Sequence, residues 1–102
     1  MSVQTKEQAL GYLLQASLRS SLPAKQLVDV AISGNKLIED DAEMNNYETV
    51  KALNIIVENL EIPKELGEQI ISSLHYTFDM RTVGEAQNTY NAFENLFPVL
   101  KG

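Results

Sequence analysis

Lys64-Glu65-Leu66-Gly67-Glu68-Gln69-Ile70-Ile71-Ser72-Ser73-Leu74-His75-Tyr76-Thr77-Phe78-Asp79 is the stretch whose reading decides the fold class. Leu66, Ile70, Ile71, Leu74 and Phe78 recur every three or four residues, the spacing that puts side chains on one face of an α-helix. Pro63 stands just before it and suits the first position of a helix, where a backbone N–H would have no partner. Its polar residues Glu61, Glu65, Glu68, Ser72, His75 and Asp79 fall on the opposite face. The stretch therefore predicts a helix from Pro63 to about Asp79 with one buried stripe and one wet one.

The same periodicity extends in both directions. A first helix is expected over about Lys6–Ser20, opened by a Thr5/Gln8 capping-box pair and lined by Leu10, Leu13, Leu14, Ser17 and Leu18. A second runs from Pro23 to about Ile38 through Ala24, Leu27, Val28, Ala31 and Asn35, with Gly34 as an early stop signal. A third, capped by Asn45 with Glu48, covers about Asn46–Glu61 with Val50, Leu53, Val57 and Leu60 inward. A fifth, opened by a Thr82/Glu85 box, covers about Val83–Leu96 through Val83, Ala86, Tyr90 and Phe93, with Phe97 continuing its stripe and Pro98 as its stop. Helices four and five are either separate or one rod through Met80-Arg81. No segment alternates apolar and polar long enough for a strand.

The expected fold is thus all-α, a bundle of two αα-hairpins (residues 5–38 and 45–79) plus a C-terminal helix (83–97), in one domain spanning 1–102. Ala9–Gln15 aligns with Ala52–Glu58, and Lys25–Ser33 with Lys64–Ser72, with a register shift that implies a shorter second connection. This is either an internal duplication or the similarity that any two amphipathic hairpins share. With Leu10 centred on the first helix's apolar face, Tyr12 lies about 200° away. Ile55 takes the matching place on the third helix, so both helices carry a large apolar residue behind their main stripe.

Composition narrows the function classes. The chain has 102 residues, 44% of them hydrophobic and 22% charged, a net charge of −6 and no cysteine. Disulfides and thiolate sites are excluded, and a reducing, cytoplasmic setting is expected. No apolar run exceeds three residues, Ile55-Ile56-Val57 being one, far below the roughly 18 residues of a membrane span. The acidic balance, with Lys6, Arg19, Lys25, Lys36, Lys51, Lys64, Arg81 and Lys101 scattered singly, argues against direct nucleic-acid binding.

Catalytic or metal-binding constellations are weak. His75 is the single histidine, has Ser72 and Ile71 rather than ligands in the preceding turn, and reads as a surface partner of Asp79. Ser20-Ser21 and Ser72-Ser73 lack a nucleophile setting, and there is no glycine-rich phosphate loop. No enzymatic activity, metal or cofactor is expected. The expected class is a small acidic protein-binding module, an adaptor or an inhibitor of a larger protein of the kind phages encode against host machinery. A structural subunit that associates with itself is the alternative.

The candidate protein-binding residues follow from the surfaces left over. Tyr12, Ala16, Ala52 and Ile55 form the back faces of helices one and three, and Tyr76 lies off the core arc of helix four. Glu39, Asp40, Asp41 and Glu43 are either a solvated connection or a docking patch for a basic surface. Phe97 and Leu100 belong to an apolar tail that either tucks onto the bundle or docks on a partner. Helix five is expected to cover one of the two back faces through Tyr90, Phe93 and Phe97, leaving the other for a second chain.

Overall fold

A computed structural model describes residues 3–101 as an all-α helical bundle. Its helices are α1 (Lys6–Arg19), α2 (Ala24–Leu37), α3 (Asn46–Asn59), α4 (Lys64–Met80) and α5 (Val83–Leu96), followed by a 3₁₀ turn over Pro98–Lys101. Among the described residues the only β-type pairing is an isolated antiparallel bridge between Gln4 and Met44.

The starts of α1, α3 and α5 are set by side chains that satisfy orphan N–H groups. Thr5 Oγ1 accepts from the N–H of Gln8 at 3.2 Å while Gln8 Oε1 accepts from the N–H of Thr5 at 3.0 Å. Thr82 and Glu85 repeat this reciprocal box. Asn45 Oδ1 accepts from the N–H of Glu48 at 2.8 Å. Each such cap contributes about 1 kcal/mol. Pro23 and Pro63 stand one position earlier than expected, as the caps of α2 and α4 rather than their first helical residues.

The two short connections are built alike. Ser21 and Glu61 take left-handed backbone angles, with φ of 58° and 54°. Each lets the chain close the preceding helix with a Schellman turn: the N–H of Leu22 donates to Ser17 O at 3.3 Å, and that of Ile62 to Val57 O at 3.1 Å. Leu22 and Ile62 are buried beneath these turns and help offset the strain of a non-glycine residue in that region. Caps Thr5 and Asn45, turn residues Ser21 and Glu61, and prolines 23 and 63 stand forty positions apart in each case. The connections are therefore equal in length, and the expected register shift is absent. At this forty-residue offset, position 12 stands opposite Ala52, and Ile55 opposite Gln15.

α1 is the central element. It packs against α2, α4 and α5 and touches α3. Ala9, Leu10, Gly11, Tyr12, Leu13, Leu14, Ala16 and Ser17 are all buried, which uses nearly the whole circumference of the helix. Leu18, expected in the stripe, instead faces out near the helix end. The closest approach is at Gly11, whose missing side chain lets the Ala86 carbonyl of α5 sit against α1; a Cβ there would overlap that oxygen. Gly34 does not end α2, because it lies buried under the Leu10 side chain within the helix. α4 and α5 are separate: Arg81 is extended (φ −125°, ψ 145°), and Tyr12 Oη donates to its carbonyl at 3.0 Å.

The N-terminal arm is held in place by polar contacts. Gln4 and Met44 exchange two backbone hydrogen bonds of 2.7 Å. The buried Gln4 side chain donates to Asn46 Oδ1 at 2.6 Å and accepts from Thr49 Oγ1 at 2.7 Å. The largely buried Lys6 side chain donates from Nζ to the exposed Asp40 Oδ1 at 2.7 Å.

Two predictions follow from this packing. Gly11→Ala should destabilise the fold by about 1–3 kcal/mol or more, because the added methyl meets backbone that cannot rotate away. Gly84→Ala, at an open helical position, should stay within about 1 kcal/mol of wild type. Urea denaturation of both variants separates close packing from generic glycine effects. The second prediction concerns acid. The Lys6 hydrogen bond holds the Asp40 carboxyl below its ordinary range, and the Thr82 N–H followed by the Arg81 guanidinium does the same for Glu85. The unfolded chain therefore takes up these protons first. The contribution of both groups is present above the ordinary carboxylate range and is lost as pH falls through their depressed values. The Asp40→Asn/Glu85→Gln double variant should lose less Tm than wild type on acidification.

Candidate functional site

The polar stripe of α4 faces water throughout: Glu61, Glu65, Glu68, Ser72, His75 and Asp79 are exposed. His75 meets only the edge of Phe78, with ring centroids 6.4 Å apart. Among the described residues no three His, Asp or Glu side chains gather in a metal-holding group. Two of the surface grooves hold residues that the sequence marks as candidates for binding.

The first lies between the end of α2 and the outer face of α3 and encloses about 380 Å³. Its α2 wall exists because Ile38 leaves the helix in an extended conformation (φ −94°, ψ 128°) and buries its side chain. That leaves Leu37, the last helical residue, 40% exposed. The chain then turns through Glu39–Ala42, with the N–H of Ala42 donating to Glu39 O at 3.1 Å. Met44, fastened by its bridge to Gln4, closes that end. The opposite wall is one face of α3, formed by Glu48, Lys51, Ala52 and Ile55. Ile55 is 40% exposed.

Its rim is acidic. Glu39 and Glu48 line the groove, and Asp41 and Glu43 are exposed on the same connection. Asp40 is exposed too, but its carboxylate is engaged by Lys6. Lys51 is the single cation in the lining, and its ammonium lies 5.4 Å from the Tyr47 ring centroid. The groove thus combines an apolar floor with a negative edge.

The position of this groove within the fold matters. On α1, Gly11 meets Ala86 and Gln15 Nε2 donates to Thr89 Oγ1 at 2.9 Å, so α5 covers that face. The α3 residues forty positions on are Lys51 and Ile55, and both line the open groove. Leu37 and Ile38 at the end of α2 stand forty positions before Thr77 and Phe78 in the last turn of α4. Among the described residues α3 packs on α1, α2 and α4, and no helix lies on it in the place that α5 takes on α1.

The second groove, of about 200 Å³, runs between the C-terminal halves of α1 and α4. Leu18 and Arg19 face Tyr76 and Met80 across it, with Arg81 at one end. The Arg19 guanidinium stacks 4.2 Å from the Tyr76 ring centroid. Arg19 and Arg81, the two arginines of the chain, both line it, and the Arg81 guanidinium donates to Glu85 Oε2 at 3.2 Å.

The structure sorts the candidate residues clearly. Ala52, Ile55 and Glu39 come together in the first groove with Asp41 and Glu43 beside it, while Tyr76 belongs to the second. Tyr12 and Ala16 are not surface residues; they are 4% and 0% exposed because α4 and α5 enclose α1 on the sides away from α2. Tyr12 packs edge-on against Phe78 with centroids 5.0 Å apart. Ala52 is itself buried and forms floor rather than rim. Leu100 is buried, with its carbonyl accepting from Asn35 Nδ2 at 2.9 Å, and Phe97 is half-buried beside Phe93. The tail tucks onto the bundle. Leu37, Met44 and Lys51 were not foreseen, since their role depends on where α2 stops and how the connection folds back. Arg19 and Met80 were missed because two helix ends meet only in the folded chain.

Among the described residues no helix is long and apolar enough to cross a membrane. No protein-family model, no curated protein and no solved structure matches this chain.

Proposed function

We propose that this protein is a binding module that acts through its helix faces, as an adaptor or an inhibitor of a larger protein, and not as a catalyst. The observation that carries this reading is the α2–α3 groove: an apolar floor of Ala52, Ile55, Leu37 and Met44, left uncovered and edged by carboxylates. Exposed apolar surface with a polar rim is the usual form of a protein-docking site. The negative edge selects a partner with a basic surface and repels phosphate backbones. The lack of cysteine suits a reducing, cytoplasmic setting.

We also propose that the bundle arose by duplication of an αα-hairpin. The forty-residue spacing of caps, left-handed turn residues and prolines supports this, because periodic apolar residues alone do not require identical turns.

A second reading, a self-associating structural subunit, has one observation in its favour. The arginine-flanked α1–α4 groove is opposite in charge to the α2–α3 rim, which would suit a head-to-tail contact between copies. Light scattering of wild type and Arg19→Glu tests it.

The test of the main reading is Ile55→Glu against Tyr12→Glu. Ile55→Glu should keep the wild-type melting curve and lose capture of a protein partner from native lysate. Tyr12→Glu should melt far below wild type, because it places a charge in the core and strands the Arg81 carbonyl. Retention of the same partners by folded Ile55→Glu would sink the groove as the docking site.

A further inference from the structure

Resting on the reading of the α2–α3 groove as a docking surface, we infer what occupies it: an amphipathic helix of a partner protein, basic along its flank, seated on α3 as α5 is seated on α1. The groove is lined by the α3 residues that match those of α1 beneath α5. Gly11 and Gln15 of α1 correspond to Lys51 and Ile55 of α3. A helix already fills the first of these two seats, and among the described residues no helix lies on the second.

The differences between the seats describe the occupant. Ala52 stands where α1 has Tyr12, so the α3 seat is deeper at that point and takes a large apolar side chain from the incoming helix. Lys51 stands where α1 has Gly11, so the incoming backbone cannot approach as closely as Ala86 does; the flexible Lys51 side chain lies along its edge. The α3 residues of the lining run from Glu48 to Ile55, two turns and about 10 Å at 1.5 Å per residue. An occupant helix would present anchors at i, i+3, i+4 and i+7 along it. Glu39 and Glu48 in the lining, with Asp41 and Glu43 beside it, outnumber Lys51 and call for Lys or Arg on the flank of that helix. The α5 of a second copy does not meet this requirement, because Val83–Leu96 contains Glu85 and Glu94 and no Lys or Arg.

The probe is a synthetic peptide of residues 82–97 of this chain carrying Asn88→Lys, Asn91→Lys and Glu94→Lys, with the unmodified peptide as control. Each is titrated into the full-length protein and followed by backbone NMR. The lysine peptide should shift the resonances of Leu37, Ala52 and Ile55 and bind at least about tenfold more tightly than the control, weakening as salt is added. Ile55→Glu and Glu39→Lys should each reduce its affinity while leaving the protein folded. The inference is overturned if the lysine peptide does not bind at millimolar concentration or if Ile55→Glu leaves its affinity unchanged. Shifts centred on Gly11 and Ala86 would overturn it too, since the peptide would then be displacing α5. Assembly above monomer mass that is abolished by Ile55→Glu would likewise overturn it by making a second copy the occupant. If Ile55→Glu loses a lysate partner yet the lysine peptide fails to bind, the docking groove stands and the basic helix falls.

Discussion

The contact between Gly11 and the Ala86 carbonyl sets the arrangement of the bundle. With no side chain between them, the backbones of α1 and α5 come close enough for α5 to cover a face of α1 that would otherwise carry Tyr12 into water. That enclosure turns α1 into a helix buried on nearly all sides, a rare condition for one of 14 residues in so small a domain. Tyr12 can then be apolar in body and polar at its tip, because the chain between α4 and α5 brings a carbonyl to its hydroxyl. The separation of α4 from α5 and the tucking of Leu100 belong to the same closure.

Much of this was legible in the sequence where local chemistry decides the outcome. Thr5/Gln8 and Thr82/Glu85 mark their helix starts because a short polar side chain followed three residues later by a reciprocal partner has few other uses, and Asn45 marks a third as a one-way cap. Helix ends were harder. Ser21 and Glu61 are not glycines, so the left-handed turns leave no compositional mark, and their stability rests on Leu22 and Ile62, whose burial is a tertiary fact. Tyr12 was misplaced for a related reason. A periodicity argument assigns one buried side per helix, and a central helix has more than one.

The groove was partly legible as well. Ile55 and the acidic connection stand out in the sequence as an apolar residue on a wrong face and a dense run of carboxylates. Their convergence does not, because it depends on the chain reversing at Ile38 and being pinned by the Gln4–Met44 bridge. Helix α5 covers a face of α1, and among the described residues no helix covers the groove face of α3.

The Gln4–Met44 bridge also ties the groove to the first turn of the chain. Met44 lines the groove, while its backbone partner Gln4 is fastened by its own side chain to Asn46 and Thr49. Short segments at the edge of a domain open more readily than its core, and the cost of that opening is shared by whatever binds them closed. An occupant of the kind proposed that held Met44 in place would therefore also slow release of the N-terminal arm, felt as slower hydrogen exchange at the amides of residues 4 and 44 together.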